Sequence, residues 1–228
     1  MVRTCHKSAA TLSEIAREEV ASWQLGLELD LYDRMKELAW KMLLAVFVDL
    51  QPADPNYQNM KSNALLFAGS IAVKAVASLL TASLLNLHLF PSEPSLVPRV
   101  RSLASEPRGT LLDSILFEPE RLSPPVIGVM RRVQNNIVLH KVGDPGTLIP
   151  EGWDAWLYFV GANRSEAAYS EAHKFVPAGF VGGGALPSLA FGFGDKTCLS
   201  RDIVRRIIWT VASVIADSGF GLRGPCGL

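Results

Sequence analysis

The sequence predicts a mainly α-helical protein with a small β region. Apolar residues recur at helical spacing near both ends of the chain, and a third long stretch is apolar throughout. Strand-like composition is confined to residues 137–160, where turn-forming residues separate two short apolar runs. With 228 residues, of which 49% are hydrophobic, the chain can bury a sizeable core.

The N-terminal part is predicted to be helical over Leu12–Leu50, with a break near Gly26. Residues 51–62 follow as a linker, because proline and other turn-forming residues are frequent there. We therefore divide the chain into an N-terminal helical segment with its linker, residues 1–62, and a core, residues 63–228.

The core is predicted to open with a long helix over Asn63–Phe90, in which Lys74 carries the only formal charge. This length would suffice to cross a bilayer. The charge inside the run and the many Ala, Ser and Asn residues favour instead a helix that is buried at the centre of the protein.

Shorter elements are predicted behind the long helix. A helix covers Leu111–Glu118, and the pair Pro124–Pro125 excludes helical geometry beyond it. Strands are predicted over Ile137–Leu139 and Ala155–Val160, and residues 161–188 are predicted to be mostly loop.

The chain is predicted to end in an amphipathic helix over Ser200–Ala216. Its apolar stripe comprises Ile203, Val204, Ile207, Ile208, Val211, Val214 and Ile215.

Composition limits the classes of function. Lys and Arg number 22, as do Asp and Glu, so the formal net charge is zero and a nucleic-acid partner is not expected. Cys5, Cys198 and Cys226 are widely spaced and form no disulfide framework, which favours a reducing compartment. The charged N-terminus lacks the apolar run of a signal or anchor. We expect an intracellular protein, cytoplasmic or membrane-associated, whose membrane association would not depend on an N-terminal anchor.

The stretch FGFGDKTCLS carries the strongest chemical signal. Cys198 stands just before the last predicted helix, whose N-terminal amides would stabilise a thiolate. Gly192 and Gly194 permit close approach of the backbone to a flat group, Phe191 offers an aromatic face, and Lys196 adds a cation. Together they favour a planar, anionic, metal-bearing cofactor with sulfur as an axial ligand.

Two other interpretations of this stretch compete with that one. A lone cysteine in an apolar stretch is commonly a small core residue. A phosphate-binding loop fails on spacing, because Asp195 separates Gly194 from Lys196.

The same stretch resembles the heme-binding loop of the cytochromes P-450, Phe-x-x-Gly-x-Arg/His-x-Cys-x-Gly. Phe191, Gly194 and Cys198 match, Lys196 keeps the positive charge, and Ser200 replaces the last glycine. The resemblance implies a heme b whose iron takes Cys198 as its axial ligand and whose propionate meets Lys196.

Further segments resemble the same family in the same order. Glu118 and Arg121 fit the structural Glu-x-x-Arg pair of its K helix, and Arg131 falls where a second propionate-binding arginine is expected. Residues 149–165 resemble its Ile-Pro-Lys-Gly strand turn, and residues 174–180 resemble the meander before the heme loop. The likeness covers most of the chain from residue 63 to residue 216.

The long predicted helix resembles the I helix, which crosses the distal face of the heme. The resemblance therefore implies a partial cytochrome P-450-like fold around a long central helix, with residues 63–228 as the heme-binding core. It also implies a substrate pocket lined by Ala68, Gly69, Ala72, Val126, Ile127 and Val129.

The sequence also departs from the family pattern. Ile71 and Ala72 stand where an acid and a threonine usually serve oxygen activation. Gly179 stands where an arginine usually joins Glu118 and Arg121. These two are then expected to form a pair, with a weaker heme-side core or a second chain that completes it. The chain has roughly half the length of a usual member.

The resemblance implies an enzyme of the monooxygenase family that oxidises an apolar lipid, sterol or terpenoid, with electrons from a reductase. The missing acid and threonine favour an alternative, an isomerase or dehydratase that does not activate oxygen. The departures leave a third hypothesis, an inactive relic or interaction protein.

Overall fold

A computed structural model of the chain describes residues 2–24, 28–59, 71–89, 111–140, 145–176 and 188–218. Within these ranges the fold is mainly helical with a few short strands, as predicted. The helices are α1 (Val2–Ala21), α2 (Leu31–Val48), α3 (Ile71–Leu89), α4 (Leu111–Leu122), α5 (Phe159–Asn163) and α6 (Arg201–Ser218). The strands are β1 (Gly128–Arg132), β2 (Ile137–Leu139), β3 (Thr147–Ile149) and β4 (Asp154–Tyr158). Two turns of 3-10 helix, Leu189–Phe191 and Gly194–Lys196, precede α6.

One hydrophobic core joins the helices. α2 packs on α3, α1 packs on both α2 and α6, and α3 also contacts α4 and α6. This hydrophobic core therefore contains residues from both sequence segments, 1–62 and 63–228. Its fully buried side chains include Leu12, Met35, Leu38, Met42, Leu79, Leu84 and Ile207.

The helical segment predicted over Leu12–Leu50 consists of α1 and α2, and α1 begins ten residues earlier than predicted, at Val2. Its predicted break lies between Ala21 and Leu31, although Gly26 itself lies outside the described residues. Asp30 begins α2 as its N-cap, because its carboxylate accepts a hydrogen bond from the Asp33 backbone N–H at 3.0 Å. The helix ends at Val48, before Asp49 in a left-handed conformation with φ 55°.

α3 is the described part of the predicted long helix, since residues 63–70 and Phe90 lie outside the described ranges. It contacts three other helices, which gives it the central position expected from its apolar sequence. Among the helices of the described ranges, none combines the length and the apolar character needed to span a bilayer.

α4 continues to Leu122, four residues beyond its predicted end at Glu118. Pro119 lies inside the helix, where it removes one hydrogen bond of the backbone ladder. The last turn is nevertheless closed, because the Ser123 backbone N–H donates to the Pro119 carbonyl at 2.8 Å. The side chain of Arg121 adds further hydrogen bonds.

Two antiparallel strand pairs form the β region. β1 pairs with β4 from Gly128 opposite Tyr158 to Arg132 opposite Asp154, and β2 pairs with β3. β2 matches its predicted range, whereas β4 begins one residue earlier than predicted and ends where α5 begins. β1 and β3 were not predicted, because such short strands are decided by cross-strand pairing rather than by local composition.

The last predicted helix is confirmed as α6, which extends from Arg201 to Ser218. Most of the predicted stripe is buried, with Ile203 and Val214 at its half-buried margins.

Candidate functional site

An apolar cavity of about 600 Å³ lies between α3 and the segment 188–200, which we call the Cys198 loop. The start of β1, the end of β4 and part of α2 complete its walls. The polar or charged side chains at its border are those of Arg131, Lys196, Cys198 and Ser200. The cavity therefore offers an apolar interior, one thiol and two cationic groups.

Backbone hydrogen bonds hold Cys198 beside this cavity. Its N–H donates to the carbonyl of Phe191 at 2.8 Å, and its own carbonyl accepts from the N–H of Arg201 at 3.3 Å. Thr197 closes the turn in between, because its N–H and its hydroxyl both donate to the carbonyl of Gly194, at 3.1 and 2.8 Å. The loop thus presents the thiol of Cys198 immediately before α6.

Gly192 adopts a backbone conformation that only glycine tolerates well. Its φ is 74° and its ψ is −168°. A Cβ atom at this position would also lie 3.1 Å from the carbonyl oxygen of Lys196. Gly194 has a φ of 60°, but a Cβ atom there would meet open space. Both glycines were predicted to permit close approach of a cofactor, and Gly192 is the more constrained of the two.

Arg131 and Lys196 border the cavity from β1 and from the loop. Both side chains are exposed, and within the described part of the chain neither has a carboxylate within 4.0 Å. Arg131 donates to the carbonyl of its neighbour Met130 at 2.8 Å. Both cations are therefore available to a negatively charged ligand.

The predicted pocket residues are divided by the structure. Ala72, Val126 and Val129 line the cavity. Ile127 is not part of the lining, because its side chain is 56% exposed, while its carbonyl accepts a hydrogen bond from the N–H of Phe159. Ala68 and Gly69 lie outside the described residues.

Glu118 and Arg121 form a buried pair whose side chains are 1% and 2% exposed. Arg121 Nε and Nη2 donate to the two carboxylate oxygens of Glu118, at 2.9 and 2.5 Å. The other guanidinium N–H groups donate to backbone carbonyls of Asn163, Ala172 and Lys174. All the donors of the guanidinium are thus satisfied within the chain. Glu118 Oε1 also accepts the backbone N–H of Val176 at 3.2 Å. Gly179, where the third member of the network was expected, lies outside the described residues.

An ion pair between the buried Glu120 and the partly exposed Arg205 was not identified from sequence. Arg205 Nε and Nη2 donate to the two oxygens of the Glu120 carboxylate, at 3.0 and 2.7 Å, which joins α6 to α4. A signal existed in the periodicity of α4. Glu120 follows the buried Leu116 by four residues and lies on the same face, so a charge there needs a partner of opposite charge.

Burial and attraction act on both members of this pair. Burial raises the pKa of Glu120, although the hydrogen bonds from Arg205 oppose the shift. At Arg205 burial acts to lower the pKa, but the hydrogen bond and charge of Glu120 outweigh it and the pKa is raised. Burial prevails at Glu120 and attraction prevails at Arg205, because the side chain of Glu120 is 1% exposed and that of Arg205 is 35% exposed.

Sequence comparison with known proteins finds relatives that are cytochromes P-450. Mitochondrial cytochrome P-450 11B1 of Ovis aries is 32% identical over 170 residues, which are 68% of this chain and 32% of that protein. Human mitochondrial 25-hydroxyvitamin D-1 alpha hydroxylase is 35% identical over 95 residues, or 40% of this chain and 18% of that protein. Beta-amyrin 28-monooxygenase of Saponaria officinalis is 29% identical over 94 residues, with 40% and 18% covered. The chain spans about a third of the length of the sheep relative. No protein-family model matches the chain.

Solved structures support the same fold. A six-coordinate cytochrome P-450 from Thermus thermophilus superposes on 95% of this chain and 68% of its own, with a TM-score of 0.72 and 20% identity. A cyanobacterial cytochrome P-450 with bound retinoic acid superposes over the same shares, with a TM-score of 0.69 and 17% identity. Sequence matches and fold agree, and the chain belongs to the cytochrome P-450 superfamily.

Proposed function

We propose that the cavity beside the Cys198 loop binds heme, with the thiolate of Cys198 as axial ligand to the iron. The observation that carries this proposal is the convergence of Cys198, Arg131 and Lys196 on one apolar cavity. Residues from β1 and from the loop before α6 meet there, far apart in sequence.

The cavity suits such a group in size and in chemistry. Its volume of about 600 Å³ lies within the range of cofactor pockets. Arg131 and Lys196 would pair with the propionates of the heme, and the apolar lining would take up its macrocycle. When bound through a thiolate, a heme iron supplies oxygen chemistry, because the sulfur pushes electron density that favours O–O cleavage.

The lining of the cavity suits an apolar substrate. Ala72, Ala75 and Val76 on α3 contribute small apolar side chains to that lining, which offer no hydrogen bond to water. Relatives whose names state a steroid or beta-amyrin reaction support a lipid, sterol or terpenoid substrate. We therefore propose that the chain contributes to oxidation of a substrate of this class, with an electron-donating reductase as partner.

A second candidate is a heme-thiolate isomerase or dehydratase. Among the described residues of α3, those that line the cavity are Ala72, Ala75, Val76 and Leu79. None of these side chains has a hydroxyl or an acid that could hold a proton near a bound ligand. This favours a reaction of an activated substrate, such as a peroxide, that needs no oxygen activation.

Hemin titration and the spectrum of the reduced carbon monoxide complex test the proposal. The chain is expected to bind one hemin and to give the red-shifted Soret band of a thiolate-ligated heme. Cys198→Ala should abolish that shift, and Cys5→Ala serves as the matched control that retains it. Absence of hemin binding, or a shift that survives Cys198→Ala, would overturn the assignment.

Turnover then separates the two candidates. Hydroxylation of an apolar substrate that depends on a reductase supports the monooxygenase. Conversion of an organic peroxide without any reductase supports the isomerase or dehydratase. A chain that binds hemin in the expected way but converts neither is the inactive form.

A further inference from the structure

We infer that Glu120 is a positioning residue for the Cys198 loop, acting through Arg205 and Phe191. The inference rests on the proposed function, because it names what holds Cys198, the proposed ligand of the heme iron, in place. It rests on an unbroken series of contacts from a buried carboxylate on α4 to the peptide bond that carries Cys198.

The first contact is the ion pair between α4 and α6. Both oxygens of the Glu120 carboxylate accept hydrogen bonds from Arg205, at 3.0 and 2.7 Å. This two-point geometry fixes the plane of the guanidinium as well as its position. A lysine in place of Arg205 would keep the charge but would lose that fixed plane.

The second contact joins the guanidinium to the loop. The Cζ atom of Arg205 lies 5.8 Å from the centre of the Phe191 ring, within the range of a cation–π interaction. Phe191 is half-buried and packs against the hydrophobic core. The ring therefore contacts both the guanidinium and the core.

The third contact joins Phe191 to Cys198, the proposed ligand of the heme iron. The carbonyl of Phe191 accepts the N–H of Cys198 at 2.8 Å, so the position of Phe191 sets the position of the Cys198 peptide. The start of the loop has a separate anchor, because the Asn163 side chain accepts the N–H of Leu189 at 2.8 Å. Loss of the Glu120 contact should therefore loosen the middle of the loop and leave its start attached.

The test compares Glu120→Gln with Glu19→Gln, which makes the same change at another buried acid. Glu19 is 4% exposed, and its carboxylate contacts Lys41, Arg34 and Trp23 rather than the Cys198 loop. Arg205→Lys is the second variant, which leaves the buried carboxylate in place if Glu120→Gln does not fold.

Two readouts keep the inference separate from the proposed function. In the full chain without hemin, hydrogen exchange of the Cys198 amide should become roughly fivefold faster, or more, in Glu120→Gln and Arg205→Lys. With hemin, the share of the reduced carbon monoxide complex that shows the thiolate-type band should fall. Glu19→Gln should change neither readout, even if it lowers the melting temperature.

The outcomes are distinguishable. Unchanged exchange of the Cys198 amide in both Glu120→Gln and Arg205→Lys overturns the positioning role. Equal acceleration in Glu19→Gln also overturns it, since the effect would then reflect general loss of stability. Accelerated exchange in the two variants, with no thiolate band in the unaltered chain, supports the positioning role and refutes the heme assignment.

Discussion

Arg121 donates two hydrogen bonds to the carboxylate of Glu118, and its other guanidinium N–H groups donate to three backbone carbonyls. The guanidinium also lies 5.0 Å from the centre of the Tyr169 ring. A single side chain of α4 therefore fixes residues 163–174, the stretch that leads from β4 and α5 toward the Cys198 loop. Removal of Arg121 or Glu118 would leave the other side chain buried without its opposite charge, although Glu118 Oε1 would still accept the backbone N–H of Val176.

We predict that Arg121→Ala lowers the free energy of unfolding by about 3–5 kcal/mol, because the charge of Glu118 would remain buried and unpaired. Urea denaturation followed by far-UV circular dichroism measures the change. Arg132→Ala is the control, since its pair with Asp154 is more than half exposed on both sides, and its loss should cost less than about 1 kcal/mol. Equal costs for the two variants would contradict the role of Arg121.

We predict that Gly192→Ala weakens hemin binding and costs about 1–3 kcal/mol of stability, because its φ and ψ lie where only glycine is comfortable. The added Cβ would also press on the carbonyl of Lys196. Gly194→Ala lies in the same loop but meets open space, so its effect should be smaller. Thermal melting and hemin titration measure both variants. A larger effect of Gly194→Ala than of Gly192→Ala would contradict the assignment of Gly192 as the more constrained glycine.

We predict that Arg131→Ala and Lys196→Ala each reduce affinity for hemin several-fold and leave stability unchanged, because both side chains are exposed and lack a carboxylate partner in the described part of the chain. The loss should shrink at high salt, where exposed charges are screened. Hemin titration at two ionic strengths measures it. Hemin dimethyl ester is the control ligand, since it lacks the propionate charges and should bind the variants and the unaltered chain alike.

We predict that Tyr57→Phe leaves stability at pH 8 unchanged or slightly raised. The Tyr57 hydroxyl is buried and has no hydrogen-bond partner among the described residues, so its removal abolishes a desolvation penalty. Burial, followed by the charges of Glu37 and Glu19, raises the pKa of Tyr57 from 10.0 to about 12.

The raised pKa gives this prediction a pH dependence. Between pH 10 and pH 12 the unfolded chain releases the tyrosine proton while the folded chain keeps it, so folding stability falls as pH rises. Tyr57→Phe lacks this loss and should become more stable than the unaltered chain in that window. Urea denaturation at pH 8 and pH 11 compares them, and parallel behaviour at both values would disprove the assigned pKa shift.

Local patterns were sufficient for the long elements and for the central motif. The apolar stripe of α6 repeats every helical turn, and it is buried where expected. The Cys198 loop was recognised from glycine, aromatic and cysteine spacing within ten residues. The end of α4 was predicted too early, because the contacts that stabilise its last turn come from other parts of the chain.

The sequence by itself determined the helical class, the family and the loop that carries Cys198, since each of these is written in residue types at short spacing. Tertiary structure alone decided which backbone carbonyls accept hydrogen bonds from Arg121 and that Arg205 contacts the ring of Phe191. The carbonyls that accept hydrogen bonds from Arg121 lie 42 to 53 residues away in the sequence. Because every residue type has a backbone carbonyl, no side-chain pattern marks them. Glu120 and Arg205 are 85 residues apart and become partners only when α4 packs on α6, because burial of the carboxylate is what demands the guanidinium.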